Sequence, residues 1–195
     1  WECALHSYPA NEVGGDLVDY VRTGPEQCTV AIADVAGKGL KAALLTAKIQ
    51  ATFRAYVRED LSPTEIVEKL NRIFTRDGIP GMFASFLLAE LRASDGIVRM
   101  ANAGHLPPLI VGPDGIRELE KGSAALGLSE STAYGLQTVE LRKGETLVLY
   151  SDGVIEARNP KGDFLCMEGW QKILRTAFGS GPEKASSRII AAIDR

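Results

Sequence analysis

The sequence is short of the residues that staple small domains or build soft-metal sites. Of its 195 residues only two are histidine and three are cysteine. Cys3, Cys28 and Cys166 are odd in number and match no zinc spacing. Cys3 and Cys28 lie in apolar, strand-like runs, so both are expected as inert buried thiols in a reducing compartment. With only His6 and His105 available, a histidine-rich metal centre is excluded. Any metal would be held mainly by oxygen, a preference that favours Mg²⁺ or Mn²⁺ over zinc. No apolar run approaches the roughly 18 residues a membrane span needs, so no membrane contact is expected of this domain. Positive charge is not in excess either: 22 Lys and Arg against 25 Asp and Glu give a net charge of −3. That balance disfavours nucleic acid as a partner. The chain opens Trp1-Glu2-Cys3, with neither an initiator Met nor a basic n-region. The expectation is a cytoplasmic piece of a longer protein.

What is present reads as globular: 45% of residues are apolar and 24% charged. The length suits one domain over 1–195. Strands are expected over Cys3 to Tyr8, Asp16 to Arg22 and Thr29 to Ala33, the last apolar on both faces and ending at Asp34. A helix is expected from about Gly39 to Val57. It has one stripe of Leu45, Ile49, Phe53 and Val57 and a second of Leu40, Leu44, Ala47 and Ala51, which predicts broad burial. A second helix starts at Ser62, with Pro63 at its first position and Glu65 closing a capping box. It packs antiparallel to the first through Ile66, Leu70, Ile73 and Phe74.

From Met82 onward the pattern is β: 82–91 and 97–103 flank a Ser-Asp-Gly hairpin signal, 109–111 and 116–119 flank a Pro-Asp-Gly one, and 136–141 and 146–150 flank Lys143-Gly144. Helices over 169–178 and 182–193 close the chain. Strands, two helices, many strands and two helices make an α+β protein with antiparallel sheets.

Three acids stand out. Asp16 follows Gly14-Gly15. Asp34 ends an apolar run and precedes Val35-Ala36-Gly37-Lys38-Gly39. Asp152 precedes Gly153 after an apolar strand. A carboxylate at the end of a buried strand needs a compensating cation or donor. Three such acids brought together would repel at roughly 4 kcal/mol per contacting pair, and divalent cations would remove that penalty. Each also has an ordinary reading, since Asp-Gly and Gly-Gly-Asp are common turn sequences. Gly37-Lys38-Gly39 is not a Walker loop, because Ile32 stands where its first glycine belongs. His105 accompanies no nucleophile motif, and it is expected either to order its loop or to enter the site.

Taken together, the chain resembles the PPM metal-dependent Ser/Thr protein phosphatases, in their SpoIIE-like/RsbU-like branch. Five blocks carry the likeness: Pro9 to Asp16, Asp34 to Ala43, Met82 to Ser85, Asn102 to Pro108, and Leu149 to Ala157. The resemblance implies an α-β-β-α sandwich of two mainly antiparallel sheets flanked by helix pairs. It implies two Mn²⁺ or Mg²⁺ ions, with Asp34 bridging them, Asp16 and the Val35 carbonyl completing one site, and Asp152 at the other. A water activated between the ions would attack a phosphoserine or phosphothreonine. Gly37, Lys38, Gly39 and His105 would contact the substrate. The implied partners are a phosphorylated STAS-domain anti-sigma-factor antagonist and an upstream sensor or dimerisation region, with a homodimer as a further option. The family's C-terminal acidic strand motif does not occur before Arg195, so weak metal binding and low turnover are expected of this chain. The alternative is a pseudophosphatase that binds a phosphoprotein without hydrolysing it.

Overall fold

The computed structural model describes residues 2–7, 14–179 and 181–193. Among them the element order is β1 (Asp16–Arg22), β2 (Gln27–Val35), α1 (Leu40–Tyr56), α2 (Pro63–Asp77), β3 (Ala84–Arg92), β4 (Ile97–Ala103), β5 (Leu109–Gly112), β6 (Gly115–Glu118), β7 (Leu136–Glu140), β8 (Thr146–Val148), α3 (Asp152–Ile155), α4 (Cys166–Ala177) and α5 (Pro182–Ile193). The strands form two antiparallel sheets, so the α+β class follows directly. The chain divides into two compact units, one of residues 7–105 and 120–140 and the other of residues 1–6, 106–119 and 141–195.

The first unit holds the five-stranded sheet, ordered β1-β2-β3-β4-β7, together with α1 and α2. Alternation in β1 to β4 sends Leu17, Ala31, Ala33, Val35, Phe86, Leu88, Ala101 and Ala103 to one face. There they meet Leu45, Ile49 and Phe53 of α1 and Ile66, Leu70 and Phe74 of α2. Phe53 meets Phe86 edge-on, with ring centroids 6.3 Å apart. The small residues at 31, 33, 101 and 103 let the helices lie close to the sheet. Val30, Ile32, Leu87 and Met100 on the opposite face are buried as well, in keeping with an apolar strand covered on both sides. The Ser62–Glu65 capping box opens α2 with both of its reciprocal bonds. Asn71, in mid-helix and 1% exposed, donates to the Ser129 carbonyl and accepts the Gly127 N–H, which ties α2 to the 127–129 turn.

In the second unit β6-β5-β8 form a three-stranded sheet. Leu109, Val111 and Tyr150 pack with Trp170 and Leu174 of α4.

Several expectations need correction. Residues 3–7 form no strand, and Tyr8 lies outside the described residues. Cys3 is exposed, because a short apolar run without a pairing partner does not bury itself, and Cys28, near the start of β2 between Arg22 and Leu91, is only partly buried. The second α1 stripe faces water: Leu40 is 69% and Leu44 61% exposed, and Ala47 and Ala51 are exposed too. The periodicity was helical, but only the Leu45–Ile49–Phe53 stripe meets the sheet. Strand β2 runs on through Asp34 to Val35, so this acid sits inside the ladder and not beyond its end. The strand expected over 146–150 ends at Val148, and Asp152 opens the short helix α3.

Two measurements probe this packing. Phe53→Ala removes a fully buried ring from the α1–sheet contact; it is expected to cost about 3–5 kcal/mol in urea unfolding. The second concerns Asp19, only 4% exposed and paired with Arg54. Burial pushes its carboxyl up, but hydrogen bonds from Arg54, Gln50 and Tyr20 outweigh burial and hold it below the ordinary value of 3.8. A carboxyl lowered on folding adds stability that is present above 3.8 and is lost as the pH falls through the lower folded value. Asp19→Asn is therefore expected to be less stable than the parent at about pH 7, with the gap narrowing at about pH 3. Urea unfolding at both values checks it.

Candidate functional site

In the antiparallel pairing of β1 with β2, Asp16 lies directly opposite Asp34. On its other side Asp34 lies opposite Ser85 of β3. Cross-strand partners point to the same face, so Asp16, Asp34 and Ser85 form one row across three strands. Asp16 is exposed and Asp34 partly buried. Two like charges directly opposite on neighbouring strands destabilise a sheet unless something offsets them.

The residue before Asp16 shows how tightly this corner is built. A methyl group on Gly15 would stand 2.6 Å from the Val35 carbonyl oxygen and 3.3 Å from Asp34 Oδ1. Two oxygens thus face the same small space beside Gly15, which no larger residue could share. The Gly15 carbonyl in turn accepts the Val35 N–H at 3.1 Å. The backbone therefore brings the Val35 carbonyl to the space that Asp34 Oδ1 also faces.

The donor set is oxygen throughout: two carboxylates and a main-chain carbonyl. That chemistry fits a hard divalent cation such as Mg²⁺ or Mn²⁺. Among the described residues no three or more His, Cys, Asp or Glu side chains gather in a group suited to an ion. Asp16 and Asp34 are accordingly a pair, with the Val35 main-chain oxygen facing the same space as Asp34 Oδ1. Asp152 belongs to the other unit, where it is exposed at the first turn of α3. Of the Pro9 to Asp16 block, residues 9–13 lie outside those described.

Gly37, Lys38 and Gly39 form the link from β2 into α1, and the Lys38 side chain is exposed. The link is fixed at its start, where the Ala36 N–H donates to the Phe83 carbonyl at 2.9 Å. His105 is 6% exposed. Its Nδ1 shares a 2.7 Å hydrogen bond with Ser85 Oγ, in the same row as Asp34. Asn102 grips its backbone twice, accepting the His105 N–H at 2.8 Å and donating to its carbonyl at 3.1 Å. Gly104 makes this turn possible, with φ at +70° and Ala125 so close that a methyl would stand 2.8 Å from its nitrogen. The loop-ordering reading of His105 is thus satisfied, and the ring is also linked to the acid row through Ser85.

Sequence reasoning missed two contributors. Ser85 stood within a quoted block, but only strand register shows that it faces Asp34. The Asp19–Arg54–Gln50 network was also missed. Its signal was legible: Asp19 occupies an inward position between Leu17 and Val21, where an acid needs a partner, and Gln50 and Arg54 are spaced one helical turn apart.

Comparison with known proteins supplies the wider setting. The family model described as Stage II sporulation protein E (SpoIIE) matches residues 24–195. Phosphoserine phosphatase RsbU of Bacillus subtilis is 30% identical over 185 residues. The match covers 94% of this chain and 55% of RsbU, so the chain spans about half the length of that relative. Among solved structures, the SiaA-PP2C domain of Pseudomonas aeruginosa superposes with a TM-score of 0.81 at 21% identity, covering 95% of this chain and 76% of that one. The PP2C phosphatase domain of Bacillus subtilis SpoIIE, with a fragment of its regulatory domain, gives 0.78 at 17%, covering 94% and 54%. These likenesses identify the fold as that of the PPM, or PP2C, phosphatases. With nine-tenths of its length inside the family model, the chain belongs to the SpoIIE family.

Proposed function

We propose that this chain is the phosphatase domain of a protein-serine/threonine phosphatase, dependent on divalent metal and acting on a phosphorylated regulatory protein in sigma-factor control. The observation that carries the reading is the pair Asp16 and Asp34, opposed across β1 and β2 with the Val35 carbonyl beside them. Support comes from the RsbU relative, a phosphoserine phosphatase by name. Asp16, Asp34 and the Val35 carbonyl would hold one Mn²⁺ or Mg²⁺, and Asp152 is proposed as a ligand of a second. When bound, the ions supply Lewis acidity, which lowers the pKa of water and neutralises charge on phosphoryl oxygens. The protein's own part is to keep the carboxylates in place and orient the phosphate. Lys38, with the backbone N–H groups of Gly37 and Gly39, is proposed to bind the phosphate. His105, fixed by Ser85 and Asn102, is proposed as a substrate contact. A phosphorylated STAS-domain protein is the proposed substrate, and a sensor or dimerisation region is the proposed controlling partner.

The test is phosphate release from a phosphoserine protein. Release is expected to require Mn²⁺, to stop on chelation and to return when Mn²⁺ is added back. Asp34→Asn and Asp152→Asn are each expected to lower it by about 10²-fold or more, the scale of losing a principal transition-state charge. Binding of the phosphoprotein without Mn²⁺-dependent release would favour the pseudophosphatase instead.

A further inference from the structure

Helix α1 carries a polar stripe that neither its burial nor the proposed chemistry requires. Thr46, Gln50 and Arg54 recur every four residues, directly beside the buried Leu45, Ile49 and Phe53. Every member reaches β1 or the residue that leads into it. Thr46 Oγ1 donates to the Gly15 carbonyl at 2.8 Å. Gln50 Nε2 donates to Asp19 Oδ2 at 3.2 Å. Arg54 grips the same carboxylate with two bonds, Nε to Oδ2 at 2.7 Å and Nη2 to Oδ1 at 2.6 Å.

The spacing of these ties is set by backbone geometry. Thr46 and Arg54 are eight residues apart on a helix, about 12 Å. Their partners, Gly15 and Asp19, are four residues apart along extended chain, about 13 Å. The two lengths agree, so both ties form together in one register of helix on strand. Sliding the helix by one turn, about 5.4 Å, breaks both.

The upper tie falls on the peptide that carries Asp16. The Gly15 carbonyl accepts from Val35 N–H on β2 and from the Thr46 hydroxyl on α1. One oxygen is therefore fixed by the strand opposite and by the helix above. The helix itself does not need the bond, because the hydroxyl also lies 3.0 Å from the Ala42 carbonyl, its own preceding turn.

We propose that Thr46 is a positioning residue for the Asp16–Asp34 pair: its hydroxyl holds the Gly15–Asp16 peptide so that the two carboxylates and the Val35 carbonyl can share a divalent cation, with Asp19–Arg54 as the lower anchor that keeps α1 in register. This rests on the metal site proposed above. Thr46→Val keeps the branched shape and removes the donor, whereas Thr46→Ser keeps the donor. The probe is Mn²⁺ alone, titrated into the 195-residue chain and followed by the electron paramagnetic resonance of the free ion, with thermal unfolding of the metal-free chain alongside.

Thr46→Val is expected to weaken Mn²⁺ binding about fivefold, the worth of one ordinary hydrogen bond, with little change in the metal-free melting temperature. Thr46→Ser is expected to restore parental affinity. Equal Mn²⁺ affinity in the parent and Thr46→Val, with binding lost in Asp34→Asn, would overturn the positioning role and leave the metal site standing. Failure of Thr46→Ser to restore binding, or a Thr46→Val chain that does not fold, would make the residue merely structural and overturn the proposal. A parent chain that binds no Mn²⁺, or binds it no better than Asp34→Asn, would overturn both readings.

Discussion

Two carboxylates face one another across a pair of hydrogen-bonded strands, and most of what surrounds them serves to keep them there. Opposed like charges should push β1 away from β2 at the end where Asp16 and Asp34 meet. The chain resists with backbone. Strand β2 is held along both edges, by β1 and by β3, and the Gly15 carbonyl is bonded from two directions. A small residue at position 15 lets the strands close until a main-chain oxygen and a carboxylate oxygen face one space. Repulsion that the fold contains in this way is what a divalent cation would relieve.

The surrounding row extends the same logic to neutral groups. Ser85 continues the line of Asp16 and Asp34 onto β3, and through His105 it connects with the Asn102 turn at the end of β4. Four neighbouring strands thus deliver their ends to one edge of a single sheet. The apolar halves of those strands fill the core beneath α1 and α2, so packing and site are two faces of one alternation.

Much of this was legible before any coordinates. Strand β1 has the bounds expected of the segment entered through Gly14-Gly15, and the capping box marked the start of α2 to the residue. Both could be read because each is marked locally, by a glycine pair at the strand's entry or by a reciprocal bond three residues long. What could not be read depends on neighbours distant in sequence. That Asp34 is a ladder residue follows from its pairing with Ser85, 51 positions along the chain. Cys3 and Cys28 looked like core because they lie in apolar, strand-like runs, yet burial is conferred by what packs on a residue. The two stripes of α1 have equal periodicity, and nothing local distinguishes the one that meets the sheet. Asp152 was singled out for its place after an apolar segment, but the segment shortened to Thr146–Val148 and the acid became the start of a helical turn.

The outward leucines of α1 acquire a particular meaning beside its polar zip. A helix with Leu40 and Leu44 in water would ordinarily lower its free energy by rolling about its axis until they met the core. Here rolling would draw Thr46 off the Gly15 carbonyl and Arg54 off the buried Asp19, stranding a charge away from solvent. The helix is barred from rotating, and any shelter for its leucines has to be brought to it.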